Sequence, residues 1–485
     1  MGEKIYKQLF LILLIIINIL LIHKYNIFNG DDGILIPHIA DYFFYNVKDS
    51  IICKEWPIHK FYLVLLSDLY LYYFNIGSKI ITQLNIEFIN IRIFCFILFF
   101  VSFIFFQKLT DNINRSFWYS CIFLTLEPFL VMSHSIRHDL FIFLGLSILL
   151  FVLFNFEKNN KISFFLLPFV WILLLTHPSG FPFIVISLIY LFFFQRNNFL
   201  IFLPLGLLTI SVYFIINELS IDKIIQLFKN RYTQQDEYLI GKENAFTFEK
   251  IIDYFWNAKY KRHLLELLLF IPYFNLAFKF KSFSKKEKFF YLMPIITLLL
   301  YQLLNYFNVS YFKHIYLVLL AIYVKFNYEK IIYLKYFNGF KISLIKLSSI
   351  VFVTLYFGIA FIFIPHNSWS LLSKTKYKID KYINNEEILI AAPLYFGFLY
   401  PKLSSKYLPI RQLGDEYCKK SINFNEHVDI LLIDTQSLKR SERNDPQFKG
   451  LNKYIENMKL VEKIEIGRLA TQSLDKQGYL YIYTK

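Results

Sequence analysis

Four short stretches of the chain hold residue types that could do chemistry. The first, Asn29-Gly30-Asp31-Asp32-Gly33, places two adjacent carboxylates just after an apolar block. Carboxylates at the edge of an apolar phase are costly unless solvated or used. If used, they suit general-base work, taking a proton from an attacking hydroxyl. The plainer reading is a solvated turn that caps a helix starting near Ile34. The second stretch is Ser133-His134-Ser135-Ile136-Arg137-His138-Asp139. On one helix His134, Arg137 and His138 share a face at i, i+3 and i+4, a plausible clamp for phosphate. Alternatively it is an interfacial turn in which Asp139 complements a helix start. The third, Thr176-His177-Pro178-Ser179-Gly180, has the composition of a hairpin between helices, with His177 beside it. In the fourth, Tyr311-Phe312-Lys313-His314, Lys313 either snorkels to a surface or binds an anionic group.

The elements that must position these residues are apolar blocks. The chain is 56% hydrophobic and 20% aromatic, with a mean hydropathy of +0.43, and apolar residues in that proportion cannot all find interior positions in a water-soluble domain. The blocks run about 16–22 residues, the length that crosses a hydrocarbon core of about 30 Å. Spans are expected near 8–23, 91–107, 117–132, 139–156, 162–176, 178–194, 199–217, 264–279, 289–307, 312–326 and 343–364. The fold class is therefore mainly α, a polytopic membrane protein of about eleven transmembrane helices. The block 58–76 is ambiguous, because it is short and carries Asp68.

Lys and Arg counting resolves the ambiguity. With 58–76 on the outer surface, about sixteen Lys and Arg, including Lys4, Lys108, Arg196, Lys285 and Lys325, fall in inner segments, against two (Arg137 and Lys313) in short outer turns. The expected layout has a cytoplasmic N-terminus and outer loops at 24–90 and 218–263. All ten histidines then lie on or near the outer face, with Asp31, Asp32, Arg137, Asp139 and Lys313. An outward-opening catalytic cavity accounts for that one-sidedness. Residues 1–364 form the membrane domain and 365–485 an extracytoplasmic α/β domain, with strand-like runs at Glu387–Ala392, Val428–Asp434 and Tyr479–Tyr483 between Lys-rich, helix-compatible stretches.

The net charge of +16 follows the block ends, so no nucleic-acid partner is expected. The four cysteines include neither a CxxC pair nor a Cys/His cluster, and no metal ligands are assigned. Cys95 and Cys121 read as packing residues, while Cys53 and Cys418 fall on the side where a disulfide is permitted.

In order along the chain, the acidic pair Asp31-Asp32, the Pro-led aromatic segment from Trp56-Pro57 to Phe74, Gly77, Arg92, Arg137-His138-Asp139 and His177-Pro178-Ser179-Gly180 resemble the GT-C membrane glycosyltransferases. The likeness is to the branch of protein O-mannosyltransferases and aminoarabinose transferases. His138 within Arg137-His138-Asp139 departs from that pattern, and loop 218–263 matches nothing in it. The resemblance implies transfer of one sugar from a polyprenyl-phosphate donor to a hydroxyl of a glycan, lipid or protein outside the cytosol, at the plasma (inner) membrane. It implies Asp31, then Asp32, as general base, and Arg137, His134, Lys313 and His177 as the cations for the leaving phosphate, with His138, Asp139 and His314 as further site residues. The mechanism would be direct displacement with inversion; a divalent ion is neither required nor excluded. Two other classes compete. A lipid-linked glycan flippase or transporter would show internal repeats and Gly/Pro-broken helices, and an outer-face polysaccharide polymerase or ligase would lack the first-loop acidic pair.

Overall fold

The computed structural model describes residues 2–22, 89–110, 113–134, 138–155, 160–176, 178–216, 266, 268–303, 312–326, 333–335, 341–363, 377–383, 390–392, 407–410, 428–442, 451–465 and 479–485. These residues are mainly helical, with a small sheet. Up to residue 363 the helices fall close to the apolar blocks: α1 Gly2–Ile22, α2 Ile89–Gln107, α3 Ile113–Thr125, α4 Glu127–His134, α5 His138–Asn155, α6 Asn160–Leu174, α7 Phe181–Phe194, α8 Arg196–Ile216, α9 Phe270–Ala277, α10 Lys285–Leu303, α11 Phe312–Phe326 and α12 Leu344–Phe363.

Two helices form the centre. In α11 every residue from Phe312 to Val324 is buried, and in α5 every residue from Asp139 to Asn155 is buried. A helix apolar all round belongs in the interior, and α5 and α11 pack on each other within the ring of other helices. On the peripheral helices the face left outside is as apolar as the face packed inside. In α1, Leu11, Leu14 and Leu21 are buried while Leu9, Ile12, Leu13, Ile16, Ile19 and Leu20 are exposed. A water-facing helix shows the reverse, a polar outer face.

One described helix, Glu3–Ile22, is long and apolar enough to cross a membrane by itself. The block read as one span over 117–132 is instead broken. Ser116–Thr125 and Glu127–Ser133 pass the same test together but meet at 62°. Pro128 supplies a reason, since a proline in a second helical position has no N–H to continue the preceding ladder. The break thus sits at Leu126, where Glu127 opens α4. The block 264–279 is also less regular than a single span, with 3-10 turns at 266 and 268–269 before α9 and another at Phe280–Ser282.

Contacts sort the helix ends into two groups. At one end Arg92, at the start of α2, meets Ile22, at the end of α1; Asp139, at the start of α5, meets Lys313, at the start of α11. At the other end the Asn155 amide reaches Lys108 O and the Lys325 ammonium reaches Phe154 O. Side-chain bonds tie the bundle internally as well. Buried Asn18 donates to Leu14 O and, across to α3, to Leu124 O at 3.2 Å. Trp171 Nε1 donates to Phe202 O at 2.8 Å, and its ring lies where a Cβ at Gly206 would be built. Gly206→Val is therefore expected to displace the indole and lower stability by about 1–3 kcal/mol, read as a fall in apparent melting temperature in detergent; an unchanged value would show that α6 and α8 tolerate separation.

After α11 the strands β1 Tyr333–Lys335 and β2 Lys341–Ser343 pair antiparallel, a hairpin not anticipated in the sequence. The C-terminal part contains β3 Ile390–Ala392, β4 Tyr407–Pro409, β5 Ile430–Asp434, α13 Thr435–Glu442, α14 Leu451–Glu456, β6 Lys459–Glu465 and β7 Tyr479–Thr484. The five strands run in the order β4-β3-β5-β7-β6, with β3 parallel to its neighbours and β7 antiparallel to its own. Alternation assigns the faces. Ala391, Leu431 and Ile433 share a cluster with Leu438 of α13 and Leu451 of α14, whereas Ile390, Ala392, Ile430, Leu432 and Ile482 belong to the other. Asp434 caps α13 by accepting the Ser437 N–H at 2.6 Å. The Lys-rich stretch 459–465, read as helix-compatible, is the edge strand β6. Its exposed Lys and Glu residues discourage pairing with further chains.

Candidate functional site

The end of the bundle where α5 and α11 begin gathers charged and hydroxyl groups within an apolar interior. Lys313 Nζ lies 2.5 Å from Asp139 Oδ2, with the carboxylate side chain fully buried and the lysine side chain 9% exposed. These residues are 174 apart in sequence. Lys313 therefore does not snorkel. A lysine one residue into a helix buried on all sides has no solvent to reach, and Asp139 in the first turn of α5 neutralises it while complementing that helix start. His314 is also fully buried, and its Nε2 lies 3.4 Å from Asp139 O; since a carbonyl only accepts, Nε2 is the donor in that contact. Phe183 of α7 meets the His314 ring edge-on at 6.1 Å.

One turn along α11, the Tyr316 hydroxyl donates to Glu266 Oε2 at 2.5 Å, and Glu266 is 3% exposed. Tyr301, late in α10, donates to Ser179 O at 2.7 Å, which ties the 3-10 turn Pro178–Gly180 to the same end. In that turn a Cβ on Gly180 would collide with the Leu174 carbonyl, so the glycine is required by close backbone approach. On the α1–α2 side, Arg92 is buried and its Nη1 donates to Ile22 O at 3.0 Å, closing an orphan carbonyl at the end of α1. Arg92 is thus a helix clamp at the point where the chain sets out toward the acidic pair.

Compared with known protein families, curated proteins and solved structures, the chain matches none.

Of the residues singled out in the sequence, the structure brings together Asp139, Lys313 and His314. His134 closes α4 and His138 opens α5, where the backbone alone is described. Asp31, Asp32, Arg137 and His177 lie outside the described residues, as do Cys53, Cys418 and the block 58–76. Cys95 and Cys121 are buried. Among the described residues no group of three or more His, Cys, Asp or Glu could hold a metal ion.

Two carboxylates escape the sequence motifs. Glu266 is a lone acid inside the run Leu264–Leu269, and that isolation is the signal that marks it, because an ionisable group in an apolar segment needs a partner or a task. Glu127 is half-buried at the break between α3 and α4; the neighbouring Pro128 is the available signal.

Proposed function

We propose that the chain is a polytopic plasma-membrane glycosyltransferase of GT-C type, taking one sugar from a polyprenyl-phosphate donor to an acceptor hydroxyl on the outer face. The observation that carries this reading is the Asp139–Lys313–His314 cluster, buried at one end of the helical bundle, the same end at which α1 releases the chain toward Asp31-Asp32. Charge distribution supports the membrane part. Among the described residues, Lys4, Lys7, Lys108, Arg196, Lys279, Lys281 and Lys325 lie toward the opposite end, as a cytoplasmic face requires. The exposed apolar faces of α1, α6, α7, α8 and α9 are suited to lipid.

In this proposal the acceptor oxygen attacks the anomeric carbon while Asp31 takes its proton, with Asp32 beside it. The bond from that carbon to the phosphate oxygen breaks, polyprenyl phosphate leaves, and the configuration inverts. Cations stabilise the leaving phosphate. Lys313 already holds Asp139, so it serves the phosphate only by sharing its ammonium with that carboxylate. The larger electrostatic share falls to Arg137, with His134 and His177. Residues 365–485 form an outer α/β domain in this layout, because α12 ends at the site end.

The direct test is the purified chain supplied with radiolabelled polyprenyl-phosphate sugars and acceptor membranes, alongside mass spectrometry of glycans and lipids from cells lacking the gene. Label that stays on the carrier with every donor, together with unchanged glycans and lipids, removes the transferase. The layout is tested in a cysteine-free background. Asp31→Cys should react with an impermeant thiol reagent from outside intact cells and Lys281→Cys should not; the reverse pattern would invert the topology.

A lipid-linked glycan flippase is the second reading, favoured by the 62° break at Leu126 with Glu127 beside it, since broken helices mark transport sites. A flippase would move the labelled lipid across proteoliposomes without altering it.

A further inference from the structure

We propose that the segment from Phe278 to Lys288, the turn after α9 with the first turn of α10, binds an anionic phospholipid of the cytoplasmic leaflet. The inference rests on the membrane part of the proposed function and is independent of the transferase part. Lys279, Lys281, Lys285, Lys286 and Lys288 fall within ten residues, with Glu287 as the only acid among them. Glu287 is committed to the turn itself. Its Oε2 accepts the Ser284 N–H at 2.7 Å and its own N–H reaches Ser284 Oγ at 3.3 Å, a capping box that closes the start of α10 internally.

Phe280–Ser282 is a 3-10 turn. The N–H groups of Ser282, Phe283 and Lys288 reach carbonyls within the segment, and those of Phe278 and Lys279 reach Asn275 O and Leu276 O of α9. Lys288 lies 5.6 Å from the Phe280 ring, while Lys279, Lys281 and Lys285 are exposed. The cations are therefore held on a built surface.

The aromatic residues between these lysines and the bundle decide the partner. Phe274 of α9 and Phe278, the residue just after the helix, stand four apart and are 65% and 90% exposed, whereas Phe270 packs inward on Phe312 and Tyr316. A patch that is cationic at its tip and aromatic along its stem matches one molecule with a phosphate head and an acyl tail. A free phosphate would leave the aromatic stem unused, and a polyanion such as nucleic acid would too. Orientation of the chain alone also accounts for the lysines, and a lipid-facing helix alone accounts for the phenylalanines; a single lipid with an anionic head uses the two side by side. Each lysine near an anionic surface adds to the attraction, and screening by salt reduces it.

The test is native mass spectrometry of the full chain purified in detergent and titrated with phosphatidylglycerol or phosphatidylcholine. Phosphatidylglycerol should bind at least about tenfold tighter, and the preference should shrink as salt is raised. Replacing all five lysines by glutamine should weaken binding on the order of a hundredfold, and replacing them by arginine should not. A milder variant, Lys279→Gln with Lys281→Gln, should show an intermediate loss even if the fivefold variant inserts badly, and Phe274→Ser with Phe278→Ser should weaken the intact lipid. Equal binding of the two lipids by the unaltered chain overturns the proposal, as does displacement by equimolar inorganic phosphate or retention of an oligonucleotide in place of lipid. A chain that stays in aqueous solution without detergent would sink the membrane reading instead, which is a distinguishable result.

Discussion

Asp31→Asn is expected to eliminate sugar transfer while the chain inserts at normal levels. If the Asp31 carboxylate is the group that accepts the proton of the attacking hydroxyl, the isosteric amide keeps the volume and hydrogen-bonding shape but cannot accept that proton, and loss of a positioned base costs roughly 10²–10⁴-fold in rate. The proper measurement is initial transfer rate at saturating donor, with binding of the polyprenyl-phosphate sugar followed separately. Binding should be nearly unchanged, because the proposed mechanism assigns the phosphate to other residues. Asp32→Asn separates the two members of the pair, a smaller loss being expected there. Full activity of Asp31→Asn would remove this residue as the base, and full activity of both variants would leave the acidic loop without a chemical role.

Breaking the Asp139–Lys313 pair should have the largest effect on stability. Each partner is buried at one end of the bundle, 2.5 Å from the other. Removing one charge strips its buried partner of that compensation, a penalty of about 3–5 kcal/mol. Asp139→Asn and Lys313→Gln are each expected to lower the apparent melting temperature in detergent sharply. The double variant should recover a large part of the loss, since neither charge then remains. The criterion is non-additivity between the singles and the double. Strict additivity would mean that the two groups do not depend on each other, and the pair would lose its role in fixing the start of α5 beside Arg137. Transfer activity in the double variant provides a second readout, since a chain that is restored in stability but inactive would assign Lys313 to the phosphate as well.

How far the sequence reaches is clearest in particular elements. The runs that form α1, α2, α5, α7 and α11 are legible because continuous apolar stretches of these lengths fold as helices wherever they are buried. The strands β5 and β7 are legible for a similar local reason, being short β-branched and aromatic runs bounded by polar segments. β6 is not, since Lys459–Glu465 carries the charge pattern of an exposed helix and becomes a strand only by pairing with β7. The break at Leu126 is hidden because hydropathy averages over a block and is blind to one proline beside one glutamate.

Composition and the run of apolar blocks along the chain were enough to determine the helical class and the apolar outer faces, properties that local sequence carries in itself. The meeting of particular groups was decided by tertiary structure alone. Asp139 reads as a helix-start acid and Lys313 as a snorkelling cation until α5 and α11 pack side by side and bring the two charges together. Glu266 finds the Tyr316 hydroxyl, and Arg92 the last carbonyl of α1, in the same way. The reason is physical: a buried polar group takes its partner from whatever helix lies against it, and sequence separation does not encode which helix that will be.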